Sequence, residues 1–338
     1  MRHRRLGNSG LNVSTVAFGA WQIGDPAYWG EDARAENDAA VHAAIEAGIN
    51  LFDTAESYGA GQSEEALGRA LGVLRDKILI ATKVSPDHCA PEVLRRSCEA
   101  SLRRLRTDHI DIYQVHWPFR HVPFEDAYEE LQRLQQEGKV REIGVSNFGA
   151  RDLTDWMNIG HCVSNQLGYS LAFRAVEYEI LPACRERNVG VLVYMPLLQG
   201  VLTHRWKTIE EIPQQRRRTR HFPSTRPGRT SCTPGVRHGE PGCEALLFET
   251  LAQLDGVARD LGQLPATVAL AWLLAQPTVT SVITGARNPA QLKRNLGALE
   301  LELDARTLRR LDALTAPLKE HFGTNADMWM GIEGSRIR

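Results

Sequence analysis

The sequence predicts an α/β protein: a (β/α)8 TIM barrel with an N-terminal β-hairpin and a long insertion after the seventh strand. Three observations carry this reading. Eight short apolar runs recur along the 338 residues, and nearly all are followed by an amphipathic segment of helical spacing. The runs are apolar almost throughout, as in parallel strands covered on both faces. The alternation argues for a parallel sheet, and eight repeats argue for a closed one. The rival is an open doubly wound sheet, which most often carries G-x-G-x-x-G after its first strand. No such motif occurs, and "GAGQSE" at 59–64 lacks the third glycine. The length admits two ordinary domains, but barrels reach it as one, so 1–338 is expected to be a single domain.

The elements follow in order. The leading "RRLGNSGLNV" has turn residues between short runs and should form a hairpin that plugs the N-terminal end of the barrel. "STVAFGAW" is the first strand. In the helix "NDAAVHAAIEAG", Ala40, Val41, Ala44 and Ile45 share a face and Gly48 is a natural stop. "INLFDTA" leads to "SEEALGRALG", with Ser63 as candidate N-cap and Glu64 and Glu65 favouring the positive helix start. "KILIATK" precedes a helix on which Leu94, Cys98, Leu102 and Leu105 recur, and "IDIYQVHW" precedes "FEDAYEELQRLQQEG". "REIGVSNF" precedes "GARDLTDWMNIG". "HCVSNQLGY" precedes "AVEYEILPACRERN", where Pro182 should kink or break the helix. "VGVLVYMPL" comes next. After a long interruption, "TVTSVITGA" and "NPAQLKRNLGAL" complete the series.

Composition narrows the function classes. The chain is 43% hydrophobic and 24% charged, with a formal net charge of −1, so nothing pulls it globally toward nucleic acid or an anionic membrane. Cys89, Cys98, Cys162, Cys184, Cys232 and Cys243 are scattered without C-x-x-C or zinc spacing. In a chain this long they read as reduced thiols, hence a cytoplasmic protein without a metal site. The basic N-terminus is not followed by a signal-peptide apolar stretch, and no run is long enough to span a bilayer. Residues 203–245 break the rhythm, with nine Lys/Arg against four Glu and an abundance of Pro, Gly and Ser. They read either as a mobile surface insertion or as a basic flap over an anionic ligand. Without interleaved aromatics they do not read as a nucleic-acid patch.

Four polar residues fall at strand ends, where a barrel carries its chemistry. Asp53 ends the second strand, Tyr58 lies in the turn after it, Lys83 ends the third and His116 ends the fourth. Each alone has a bland explanation: a helix cap, a packed ring, a solvated lysine, a core histidine. Together, on three successive strands, they point at one place. A phenol titrates near about 10, and a nearby ammonium favours its ionised form. A carboxylate beside that ammonium keeps it compensated, and a histidine can orient a carbonyl or share the proton. Such a set is a general acid for a developing alkoxide and needs a hydride donor.

Here the chain resembles the aldo-keto reductases. "INLFDTAESYGAGQSEEALGRAL", "IATK", "DIYQVHWP", "REIGVSNF", "VSNQLGYS" and "VITGARNPAQLKRN" match that family in order and spacing, over almost the whole chain. The resemblance implies a (β/α)8 barrel that binds NADPH without a Rossmann domain, NADPH/NADP+ rather than NADH. It carries the catalytic roles to Asp53, Tyr58, Lys83 and His116, with Tyr58 as proton donor and Asp53 supporting Lys83. It makes Ser146, Asn147 and Gln166 the holders of the nicotinamide carboxamide and Tyr194 the plate under its ring. Trp21 and Asp53 also fall on the cofactor side. Pro196, Leu197 and Gly200 resemble the pyrophosphate segment. Gly285, Arg287, Gln291 and Asn295 resemble the adenosine and 2′-phosphate region. Two positions depart from the pattern. Met195 stands where serine is common, and "ITG" leaves no lysine for the 2′-phosphate. Arginines of the 203–245 insertion, Arg216, Arg217 and Arg218 among them, are candidates to replace those contacts.

The substrate is expected to be a small-molecule carbonyl or sugar, with Tyr28, Trp29 and Trp117 as walls. The same four residues would serve an NAD(P)-dependent sugar dehydrogenase running oxidatively. A cofactor-binding regulatory subunit of the channel-associated type is a third reading, since "RRLGNSGLNVS" resembles that branch too. The intact set of four weighs against a purely structural role.

Overall fold

The computed structural model describes residues 1–30, 33–224 and 238–338. Cys232 and positions 225–237 of the expected insertion lie outside them.

A two-stranded antiparallel hairpin comes first, β1 (His3–Arg5) and β2 (Asn12–Ser14). Eight parallel strands then close a barrel: β3 (Val16–Gly19), β4 (Leu51–Asp53), β5 (Leu79–Val84), β6 (Ile110–Val115), β7 (Val140–Ser146), β8 (Ser164–Gly168), β9 (Gly190–Tyr194) and β10 (Val279–Gly285). Each pairs with its neighbour in sequence, and β10 returns to β3. The strands are short and almost wholly buried, as expected of strands covered on both sides.

The barrel interior at the hairpin end is small and apolar. Ala17, Leu51, Ala81, Ile112, Leu192 and Ile283 form one cluster with Leu6, Leu11 and Val13 of the hairpin. The hairpin therefore stoppers that end, and the turn at Gly7 (φ +51) approaches so closely that a Cβ there would run into the backbone at Val163 and Gly190.

Two short helices, α1 (Trp21–Gly24) and α2 (Pro26–Trp29), follow β3 before α3 (Arg34–Glu46). Around the barrel run α4 (Gln62–Leu71), α5 (Pro91–Leu105), α6 (Phe124–Gln136), α7 (Ala150–Ile159) and α8 (Ile180–Glu186). Then come α9 (Glu244–Asp260), α10 (Pro265–Ala275), α11 (Pro289–Leu296) and α12 (Ala305–Phe322). The faces read from the sequence are the buried ones: Ala40, Val41 and Ala44 on α3, with Ile45 half-buried beside them, and Leu94, Cys98, Leu102 and Leu105 on α5. Gly48 follows α3 at φ +84. No helix among the described residues is long and apolar enough to cross a membrane.

Two local expectations are corrected. Ser63 is not the N-cap of α4; Gly61 is, at φ 94. Ser63 is fully buried and its hydroxyl donates to the Ala20 carbonyl, 2.8 Å away, tying the first turn of α4 to the residue after β3. Pro182 does not kink α8; the expected helix over 175–188 is instead broken ahead of it, into a 3-10 turn at Ala175–Glu177 and α8. Pro182 sits in the first turn of α8, where its missing N–H would have had no intrahelical acceptor.

The described part of the 203–245 insertion is packed rather than loose, with Ile212 and residues 219–222 all buried. Arg220, 3% exposed, is its anchor. Its backbone N–H donates to the Met328 carbonyl, its guanidinium donates to the Asn325 carbonyl at 2.9 Å, and it pairs with Glu240 at 2.8 Å. The insertion and the C-terminal segment are thus bound to one another.

Next to it, His221 is wholly buried between Phe322 and Phe173, with Nε2 2.9 Å from the Ala172 carbonyl. Burial pushes its pKa down to about 3. The unfolded histidine titrates near about 6.5 and takes up a proton that the folded one refuses. Stability is therefore full above about pH 6.5 and falls as the pH drops toward 3, by about 1.4 kcal/mol per pH unit for this one proton. Urea unfolding at pH 7.0 and 5.0 should show this loss, and His221→Gln should reduce the slope by about one proton.

Candidate active site

The end of the barrel opposite the hairpin gathers the four strand-end residues. Asp53 is the last residue of β4, Lys83 lies near the end of β5, and His116 follows β6. Tyr58 opens a tight turn between β4 and α4, where Gly59, Ala60 and Gly61 all have positive φ. Glycine is required at 59, since a Cβ there would run into the Gly24 carbonyl. The loops after β3 and β4 mesh through this contact.

Lys83 is fully buried, and its ammonium faces three oxygens: Asp53 Oδ1 at 2.8 Å, the Thr54 carbonyl at 2.8 Å and Tyr58 Oη at 3.4 Å. Burial lowers its pKa and the Asp53 charge opposes that shift. The second Asp53 oxygen accepts from Gln166 Nε2 at 2.7 Å, so both carboxylate oxygens are held. His116 packs edge-on to the Tyr58 ring at 5.7 Å. Burial, and then the charges of Lys83 and Arg336, hold its pKa well below the usual value, so it is a neutral imidazole.

Beyond this group, β7 ends in Ser146, followed by Asn147 at φ +61, a conformation uncommon outside glycine. Asn147 Nδ2 donates to the His116 carbonyl at 3.0 Å, and its Oδ1 accepts from Tyr194 Oη at 2.8 Å. Burial keeps Tyr194 protonated by raising its pKa well above the ordinary value, as this donation needs. Met195, Leu198 and Gln199, just after β9, also have positive φ. Backbone strain of this kind concentrates at ligand sites.

A cavity of about 880 Å³ covers this end, within the range of small-molecule sites. Asp53, Tyr58, His116, Ser146, Asn147, Gln166 and Tyr194 line it, and so do Trp21, Trp29 and Trp117. Pro196, Leu197 and Gly200 line it after β9, and Gly285, Arg287, Gln291 and Asn295 line it after β10. Lys83 lies beneath the floor. Tyr28 is not among the lining residues; it stacks on Trp21 at 4.7 Å.

Several lining residues escaped the sequence reading. Trp329 lies parallel to Tyr194 with centroids 6.1 Å apart and meets Trp117 edge-on at 5.7 Å. Arg336 lays its guanidinium 3.6 Å from the Trp117 ring centroid and pairs with Asp327 through two hydrogen bonds. The single tryptophan in "MWMG" was the available hint, in a tail with no strand or helix period.

From the insertion, Arg205, Arg216 and Arg218 line the cavity, whereas Arg217 does not. Burial and then the charge of Arg287 lower the pKa of Arg205; burial and then the charges of Arg205 and Arg287 lower that of Arg216. Among the described residues no carboxylate lies within ion-pair distance of Arg205, Arg216 or Arg287, and Arg216 Nε is buried without an acceptor. Arg216 is held over Trp29 and Trp206 instead.

The model of the Aldo/keto reductase family matches residues 15–316. The chain belongs to the aldo/keto reductase family. An NADH-specific methylglyoxal reductase of Escherichia coli is 32% identical over 340 residues, covering 92% of this chain and 98% of that one. Among solved structures, an aldo-keto reductase of Klebsiella pneumoniae in complex with NADPH has a TM-score of 0.73 at 29% identity, over 93% of this chain and 96% of that one. A glycerol dehydrogenase of Gluconobacter oxydans has a TM-score of 0.78 at 28% identity, over 93% and 95%. The closed barrel of the aldo/keto reductases was thus legible in the sequence, down to its hairpin.

Proposed function

We propose that this aldo/keto reductase reduces an aldehyde or ketone to an alcohol at the Tyr58 end of the cavity, with NADPH as reductant and the whole chain acting as one domain. The observation that carries the reading is the Lys83 ammonium, fully buried and directed at once to Asp53, Thr54 and Tyr58.

When bound, the dinucleotide supplies hydride. The chain supplies the rest. The Tyr58 hydroxyl donates its proton to the carbonyl oxygen as negative charge develops there, and Lys83 stabilises the phenolate left behind. Asp53, fixed by Gln166, keeps that cation oriented. Neutral His116 offers an N–H to the same carbonyl oxygen without adding a charge. Trp29, Trp117 and Trp329 wall off water.

The cavity fits a dinucleotide on its chemistry. At one end, Ser146, Asn147 and Gln166 present amide and hydroxyl groups, and Tyr194 presents a ring. At the other, guanidiniums without carboxylate partners call for an anion. Arg287, Gln291 and Asn295 would meet the 2′-phosphate, with Arg205 and Arg216 taking over from the absent lysine. Accordingly, Arg216→Ala should raise the Kd of NADPH about tenfold, and that of NADH by less. Fluorescence titration with each nucleotide checks this; equal weakening would assign Arg216 to a phosphate shared by both.

The deciding experiment is a carbonyl panel followed at 340 nm with each nicotinamide, including methylglyoxal because relatives are named for reducing it. No turnover with any carbonyl refutes the reading. Likeness to a glycerol dehydrogenase favours one second reading, alcohol or sugar oxidation at the same residues, and initial rates in both directions separate the two. The unpaired buried thiols Cys89, Cys98, Cys162 and Cys184 support a cytoplasmic setting for either.

A further inference from the structure

A train of rings runs from the insertion to Tyr58. Trp21 stacks on both tyrosines, with Tyr58 at 5.2 Å and 24° and Tyr28 at 4.7 Å and 23°. Trp29 closes the group edge-on against both Trp21 and Tyr28. One carboxylate sets the stack: Asp25 Oδ2 accepts from Trp21 Nε1 at 2.9 Å, and Asp25 Oδ1 accepts from the Tyr28 backbone N–H at 3.1 Å.

The outer end of the train belongs to the segment after β9. Tyr28 Oη lies 2.8 Å from Gln199 Oε1 and 2.8 Å from the Gln215 carbonyl, and the Arg218 guanidinium sits 4.5 Å over the Tyr28 ring. Gln199, Arg216 and Arg218 line the cavity, while Tyr28 does not. Tyr28 thus touches the cavity's cover on one side and, through one indole, the ring of Tyr58 on the other. The inner end has slack: Tyr58 Oη to Lys83 Nζ is 3.4 Å, beyond the usual 2.7–3.2 Å for an N–H to oxygen hydrogen bond.

We infer that Tyr28 is a positioning residue, through which the seating of residues 199–218 over a phosphate-bearing ligand fixes the hydroxyl of Tyr58. This rests on the carbonyl-reductase reading and deepens it. Nucleotide engagement at the arginines and proton donation at Tyr58 become one event. Misplacing a reacting group by about 1 Å can cost about a hundredfold in rate, so a short slide of a stacked ring is enough.

The test uses the full chain. Tyr28→Leu removes the stack and the tether and should lower kcat about tenfold, with KM and the NADPH Kd changed by no more than about twofold. Tyr28→Phe keeps the ring and should recover most of that loss. Gln199→Leu placed on Tyr28→Phe should add less than its effect alone, because both cut one link. Unchanged kcat in Tyr28→Leu, or a loss explained entirely by NADPH Kd, overturns the inference while leaving the reductase reading intact. Hydrogen exchange reports without turnover. NADPH should protect both 199–218 and 57–62 in the unsubstituted protein, and in Tyr28→Leu should protect 199–218 alone. Protection confined to 199–218 in the unsubstituted protein overturns the brace. Protection of neither segment removes the reductase reading and the brace with it.

Discussion

Tyr58→Phe should lower carbonyl reduction by about 10²–10⁴-fold, the usual contribution of a positioned general acid. The substitution removes one oxygen. The ring keeps its stack on Trp21 and its edge contact with His116, so thermal stability and NADPH affinity should stay close to those of the unsubstituted protein. Steady-state rates at 340 nm, with nucleotide Kd measured alongside, make the comparison. Retention of full turnover would dismiss Tyr58 as the proton donor, and with it the account of why a lysine is buried beneath it.

The second large effect concerns stability. Asp53 and Lys83 are 5% and 0% exposed in their side chains and 2.8 Å apart. Asp53→Asn leaves a buried cation with a neutral partner, and breaking a buried pair in this way costs about 3–5 kcal/mol. Urea unfolding at pH 7 should show that loss together with near-complete loss of turnover. Adding Lys83→Met to the same chain removes the orphaned charge. The double variant should regain most of the stability and none of the activity. If it unfolds as readily as the single variant, the charge is not what Asp53 compensates. Separation of stability from activity in this way would mark the pair as one that serves chemistry rather than folding.

The barrel was readable because its strands are short apolar runs between amphipathic helices, a pattern that repeats whatever the loops do. The elements that escaped had no such pattern. In α10, Val268, Ala269, Leu270, Ala271, Trp272 and Leu273 are all buried; a helix apolar on every side has no face for periodicity to reveal. Ser63 was misjudged because a serine beside two glutamates suggests a cap, and only tertiary contact shows its hydroxyl turned to Ala20.

The candidate site divides along the same line. Asp53, Tyr58, Lys83 and His116 could be found because strand ends are fixed by the barrel. Trp329 and Arg336 could not, since they arrive from a tail positioned by Asp327, whose carboxylate holds the Trp329 and Met330 backbone N–H groups. Tyr28 was read as a wall because it is aromatic and near the mouth. Its position against Trp21 depends on Asp25, which caps α2 from the residue before Pro26 and also accepts from the Trp21 indole.

Arg220 joins the ceiling over one half of the cavity to the side panel of the other half, a staple between regions more than a hundred residues apart in sequence. On the function proposed above, selection for a new carbonyl substrate, acting on Trp329 or Arg336, would strain the grip on phosphates, and tuning of that grip would reshape the room left for the carbonyl. Variants meant to retarget this enzyme should be sought with changes on both sides of that staple at once.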